Sequence, residues 1–119
     1  MQNQHESDIQ REILNAISRG RLRAWRQQAG QVFVVPFKEA QRKGVRGHFM
    51  ELAPAGAADL TGIYDDGRRV EIEVKSASGS QRPEQRAWES MIRSRGGVYI
   101  LARSVDEALA HLVEARVVL

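Results

Sequence analysis

Between Asp59 and Lys75 the chain reads DLTGIYDDGRRVEIEVK, and this stretch limits the fold more than any other. Val70, Ile72 and Val74 alternate with Arg69, Glu71, Glu73 and Lys75. A period of two puts apolar side chains on one face and carboxylates with an ammonium on the other. Asp65-Asp66-Gly67 suits a three-residue loop that ends with the glycine in the left-handed conformation. Tyr64 then pairs with Arg68, Leu60 with Ile72, and Asp59 with Glu73. A two-residue Asp66-Gly67 turn would set Leu60 against Glu73 instead. Because a one-residue slip reverses every face, the apolar pattern selects the longer loop.

Opposed carboxylates at Asp59 and Glu73 repel one another. Two resolutions are open from the residues alone. A hard divalent cation, Mg²⁺ foremost, takes carboxylate oxygens as its natural ligands. Lys75, two residues past Glu73 on the same face, would point at the same spot. Alternatively this is the solvated face of a half-buried strand, since an E-x-K triplet is common in any soluble protein. Glu71 shares the face but lies further from Asp59, and is expected to stand behind the site or in solvent.

The remaining segments fit one domain spanning 1–119. Ile9, Ile13, Leu14 and Ile17 form one apolar stripe, so a helix is expected over residues 7–18, with Ser7 and Gln10 at capping-box spacing. Glu6 stands beside that cap, and Gln10 is one turn further on. Gly20 to Gly30 reads as an Arg-rich connection that could extend the helix. Gln31 to Pro36 reads as a strand. Phe37 to Ala57 has no clear period and carries glycine, proline and basic residues, so it is expected to be a mobile loop gripping nucleic acid. Its His48 reads as a solvated loop histidine. Small polar residues from Ser76 to Ser80 make a turn. Pro83 opens a second helix with Trp88, Met91 and Ile92 inward, Gln85 on the same stripe, and Gly96-Gly97 as its cap. Val98 to Ala102 is a buried strand. Ser104 and Glu107 are spaced to cap a last helix, and Arg116 to Leu119 is expected to add a short final strand.

Composition narrows the function classes. No apolar run reaches the length of a membrane span, and the polar N-terminus is not a secretory signal. With no cysteine, disulfides and thiolate metal sites are excluded; a cytoplasmic setting is compatible with this. Net charge is only +3, yet eight basic residues against one acid lie between Arg19 and Arg46. A basic block with Trp25 and Phe37 interleaved suits a phosphate backbone. Arg23, Arg26, Lys38, Arg42, Lys43 and Arg46 are the candidate DNA contacts, the bland alternative being a solvated surface.

Taken together, Gly56-Ala57-Ala58-Asp59-Leu60, Glu73-Val74-Lys75-Ser76 and Gln85-Arg86-Ala87-Trp88 resemble the PD-(D/E)XK nuclease superfamily. More narrowly they are similar to its VRR-NUC branch, in the small stand-alone form of phages and bacteria. The helix start at Glu6-Ser7-Asp8-Ile9-Gln10 and the strand Gly97-Val98-Tyr99-Ile100 extend the likeness nearly end to end. Gln81-Arg82-Pro83-Glu84 departs from it, where a more compact Ser-Pro is expected. The resemblance implies an α/β fold with a restriction-endonuclease-like α-β-β-β-α-β core, a mixed central sheet flanked by helices. It implies an Mg²⁺- or Mn²⁺-dependent nuclease with Asp59, Glu73, Lys75 and Gln85 as the catalytic set. Asp59, Glu73, the Val74 carbonyl and Glu6 would hold the metal. It further implies a homodimer that cuts branched DNA, Holliday junctions in particular, within a bacterial or phage-infected cell. Rival readings are a non-catalytic DNA-binding module, a nicking or flap nuclease of the same fold, and a structural adaptor.

Overall fold

The alternation around Asp59 to Lys75 becomes the centre of a mixed four-stranded sheet. In the computed structural model, which describes residues 5–36 and 46–119, the elements run α1 (Glu6–Ile17), β1 (Leu22–Arg26), β2 (Gln31–Val34), β3 (His48–Glu51), β4 (Leu60–Tyr64), β5 (Arg69–Val74), α2 (Pro83–Ser94), β6 (Val98–Ala102) and α3 (Val105–Glu114). The main sheet has the order β1-β4-β5-β6. β1, β4 and β5 are antiparallel neighbours, and β6 lies parallel to β5. A parallel pair needs a crossover connection, which α2 provides. The fold is mixed α/β.

The expected register holds. Leu60 is the partner of Ile72. The Tyr64 amide donates to the Arg68 carbonyl at 2.9 Å, and the Gly67 amide returns to the Tyr64 carbonyl at 2.9 Å. Gly67 has φ 93°, so the loop Asp65-Asp66-Gly67 closes through the left-handed region that glycine enters without steric cost.

One face of the sheet packs on α1 and α3. Ile9, Ile13 and Ile17 from α1 and Ala108 and Leu112 from α3 meet Leu22, Leu60, Val70, Ile72, Val74 and Ile100 in a single buried cluster. At roughly 25 cal/mol per Å² of apolar surface removed from water, this interface is the main stabiliser of the domain. α2 covers the other face, where Ala58, Ile92 and Tyr99 pack with Trp88 and Met91. The polar face of β5 is therefore covered too. Glu71, Glu73 and Lys75 lie in the protein interior, at 0%, 2% and 8% exposure.

Several expectations are corrected. The Arg-rich connection contains β1, whose Leu22 and Ala24 are buried while Arg23, Trp25 and Arg26 are exposed. Gln31 to Val34 is a strand, but it pairs with β3 in a separate two-stranded sheet rather than joining the main one. β3 thus interrupts the expected loop from Phe37 to Ala57, and His48 is its first residue; Lys38, Arg42 and Lys43 lie outside the described residues. α1 begins at Glu6 after His5, one residue earlier than expected, and no side chain caps it, so Ser7 and Gln10 form no capping box. Arg116 to Leu119 is not a strand: Arg116 turns the chain at φ 58°, and Val117 tucks into the core. Ser104 does cap α3, accepting from the Glu107 amide at 3.1 Å. Gly96, at φ 82°, ends α2 in the left-handed region, as its sequence position indicates. Among the described residues, no helix is long and apolar enough to cross a membrane.

Candidate active site

Asp59 sits one residue before β4, in the segment that leaves the inserted arm. Gly56 fixes how that segment approaches. Its φ of 86° is left-handed, and a Cβ there would collide with the Glu84 carbonyl in the first turn of α2. Only glycine lets the Asp59 segment lie against the helix that carries Gln85. The Asp59 side chain then turns to β5, and its Oδ2 accepts the Val74 amide at 2.7 Å. In an extended strand the N–H and C=O of one residue leave by the same edge. The Val74 carbonyl therefore also faces the Asp59 side.

Glu73 is held at both oxygens. Gln85 Nε2 donates to Oε1 at 2.8 Å, and the Tyr99 hydroxyl donates to Oε2 at 3.0 Å. Lys75 Nζ stands 3.8 Å from Oε1. Gln85 does two jobs from one side chain: its Oε1 also accepts the Arg82 amide at 2.8 Å, capping α2. Pro83 occupies the first turn, so the unusual Gln81-Arg82-Pro83-Glu84 segment starts the helix without displacing Gln85. From α1, Glu6 Oε1 accepts the Ser76 amide at 3.1 Å, next to Lys75.

Burial and mutual repulsion govern the electrostatics. Desolvation raises the Asp59 pKa, opposed by the Val74 hydrogen bond, while nearby Glu6 adds a further upward push. Glu73 is raised to about 7, first by burial and then by the negative charge of Asp59. The two carboxyl groups lie close enough for the Asp59 charge to act on Glu73. Burial also raises the Tyr99 hydroxyl, and the Glu73 charge adds to it. Paired carboxylates whose ionisation is this unfavourable call for a proton or a cation between them.

The donor set suits a hard cation that retains water. Among the described residues no three His, Cys, Asp or Glu side chains cluster tightly enough to hold a metal by themselves. Mg²⁺ commonly takes only one or two carboxylates and fills its octahedron with water and substrate oxygens. Asp59 and Glu73 with the Val74 carbonyl meet that description. Glu6 is nearby but tied to the Ser76 amide, so it is not gathered with the other two into one cluster.

A polar cleft of about 450 Å³ opens beside these groups, lined by Asp59 and Gln85 with Gln10, Arg26, Gln27 and Arg82. Of the sequence-expected residues, Asp59, Glu73, Lys75 and Gln85 come together, with Gln10 at the rim. Arg23, Arg26 and Arg46 are exposed; Arg26 lines the cleft, and Arg23 projects from β1. Of the two places expected for Glu71, behind the site or in solvent, it takes the first: it is fully buried, and the Trp88 indole N–H donates to it at 2.7 Å. Tyr99, Gln27 and Arg82 were not anticipated. Tyr99 was hidden within an apolar run, where only its pairing opposite Glu71 reveals the face it occupies. Gln27 carries no local signal at all.

Compared with protein-family models, curated proteins and solved structures, the chain has no match.

Proposed function

We propose that this chain is a divalent-metal-dependent nuclease of the PD-(D/E)XK type, similar to the small VRR-NUC proteins. The observation that carries the reading is the convergence of two mutually destabilising carboxylates, Asp59 and Glu73, with Lys75 and Gln85 beside a polar cleft. The order of elements supports it. With the β2–β3 arm set aside, α1-β1-β4-β5-α2-β6 runs α-β-β-β-α-β, the order of that superfamily's core.

Asp59, Glu73 and the Val74 carbonyl would hold Mg²⁺ or Mn²⁺, which when bound acidifies a water molecule and screens the phosphate charge. Lys75 supplies a compact positive charge, held near the site by Glu73, for a non-bridging oxygen as the phosphorus becomes five-coordinate. Hydrolysis adds the water oxygen to phosphorus and breaks one P–O ester bond, and the departing sugar oxygen leaves with a proton. Gln85 keeps the Glu73 carboxylate turned toward Asp59, and its second amide hydrogen remains for water or phosphate. Arg26 and Arg82 flank the cleft and Arg23 and Arg46 extend the basic surface, which suits a backbone contact whose strength falls with salt. We further propose DNA as the substrate, branched DNA such as Holliday junctions in particular, and a homodimer as the active form, since two-fold symmetry matches paired cuts.

Labelled four-way junction, flap, linear duplex and single strand, each incubated with Mg²⁺, Mn²⁺ or EDTA, test the reading. Symmetric cuts in the junction that vanish with EDTA and in Lys75→Ala are expected. Cutting of linear duplex or flap instead would make the chain a nicking or flap nuclease of the same fold. Both Glu73 oxygens are closed on protein donors, an arrangement that also suits a DNA-binding module without catalysis. Binding to all four substrates with no metal-dependent cleavage would establish that alternative and overturn the nuclease.

A further inference from the structure

Glu71 is the most deeply buried carboxylate among the described residues, at 0% exposure, and nothing in the proposed chemistry uses it. Its Oε1 accepts from Trp88 Nε1 at 2.7 Å and from Gln27 Nε2 at 3.4 Å, and its Oε2 from Arg69 Nε at 3.4 Å. These donors come from α2, from the segment after β1 and from its own strand. Gln27 carries the connection onward. Its backbone amide donates to the Asp59 carbonyl at 2.8 Å, and its Nε2 donates to the Ala58 carbonyl at 3.2 Å. Arg69 closes the ring by donating to Gln27 Oε1 at 3.5 Å. Trp88 sits three residues after Gln85 on the same helix.

We propose that Glu71 is a positioning residue: through Gln27 it fixes the backbone that presents Asp59, and through Trp88 it fixes the helix that presents Gln85. Stability alone is often served as well by an apolar side chain in such a place. An apolar side chain cannot accept donors from three segments and hold their separation. Glu71 is the shared anchor of the two elements that must face Glu73, and groups behind a site commonly set its affinity and rate by this kind of support. The catalytic purpose of the anchor rests on the nuclease reading above, whereas the mechanical link does not.

The Val74 amide reports the link directly, because its hydrogen bond goes to Asp59 Oδ2. Amide hydrogen exchange would be followed by NMR in the full chain and in Glu71→Gln, whose new NH₂ faces donors, and in Trp88→Phe, which keeps an aromatic ring but loses the N–H. Mn²⁺ binding by calorimetry and cleavage kinetics would accompany it. Glu71→Gln is expected to lower Val74 protection about tenfold or more while the amides of Ile72 and Ile100 hold theirs. Mn²⁺ affinity should drop about 10–100-fold, with kcat reduced and KM for DNA unchanged. Trp88→Phe should move the same readouts by less, and it decides alone if Glu71→Gln does not fold. Unchanged Val74 protection, or an equal loss across every sheet amide, would overturn the proposal. If the parent chain binds no Mn²⁺ and cuts no DNA while Val74 still responds, the nuclease reading falls and the positioning role stands.

Discussion

The chain contains two antiparallel pairs of opposite construction. β4 and β5 sit mid-sheet with one face on α1 and α3 and the other under α2, so even the carboxylates of Glu71 and Glu73 are interior. Among the described residues, β2 and β3 pair only with each other. Their directly paired Phe33 and Phe49 meet at 5.2 Å between ring centroids, tilted by 59°, yet stay 51% and 69% exposed. In the first pair every polar atom needs an internal partner, so side chains distant in sequence become fixed. In the second, solvent meets most needs, and little is fixed beyond the ladder itself. Chemistry that requires sub-ångström placement belongs with the first pair, and adaptable surface with the second.

That contrast can be broken or sharpened by mutation. The largest effect is expected at Lys75→Ala, which should lower metal-dependent cleavage on the order of 10²-fold or more with binding of DNA retained, measured by single-turnover kinetics. Gly56→Ala comes next. It forces a left-handed φ on a side chain and drives Cβ into the Glu84 carbonyl, so it should cost about 3 kcal/mol in urea unfolding. A cost within error would mean that the Asp59 segment is not held against α2.

Glu73 gives the contrast a pH dependence. Its folded pKa is raised from 4.5 to about 7, so in that window the folded chain keeps a proton that the unfolded chain has released. Stability therefore falls as pH rises from about 4.5 through about 7 and is level above. Glu73→Gln removes this loss, and between about pH 5 and pH 8 its stability relative to the parent should rise by on the order of 2–3 kcal/mol. A gap that stays constant with pH would show that Glu73 is ionised without strain.

The arm should be far more forgiving. Replacing Phe33 and Phe49 together with serine should change global stability by less than about 1 kcal/mol, because neither ring is buried. A larger loss would place the arm inside the cooperative unit. The smallest effect belongs to Thr61→Val. Thr61, paired opposite Glu71, carries a buried hydroxyl without a partner among the described residues, so its removal should leave Tm unchanged or slightly raised.

How much of this could be read in advance follows the same division. The β4–β5 register was legible because alternation and a glycine-closed loop agree, and a slip would have reversed both faces. The placement of Asp59 and Lys75 around Glu73 followed from that parity. β1 was obscured because three arginines and a tryptophan crowd Arg21 to Arg26, and charge at a sheet edge resembles a loop. Glu71 was left open between the interior and solvent, since a carboxylate in mid-strand looks solvated until its partners are known. They lie 17 and 44 residues away in the chain. Glu6, bonded to an amide 70 residues distant, came from the family resemblance alone.

The arm has a consequence for how such a chain can change over generations. Arg26 and Leu60 are direct partners across β1 and β4, so the intervening residues leave and rejoin the sheet at one place. Ala29 and Ala53 already bridge that gap beyond Gln27 and before Gly56. In chain order, everything between them is one insertion between β1 and β4. Each doubling of such a connection costs only about 0.6 kcal/mol in closure entropy. The segment can therefore be shortened, lengthened or exchanged as a cassette, and a new binding preference grafted there, without rethreading the strands that carry the carboxylates.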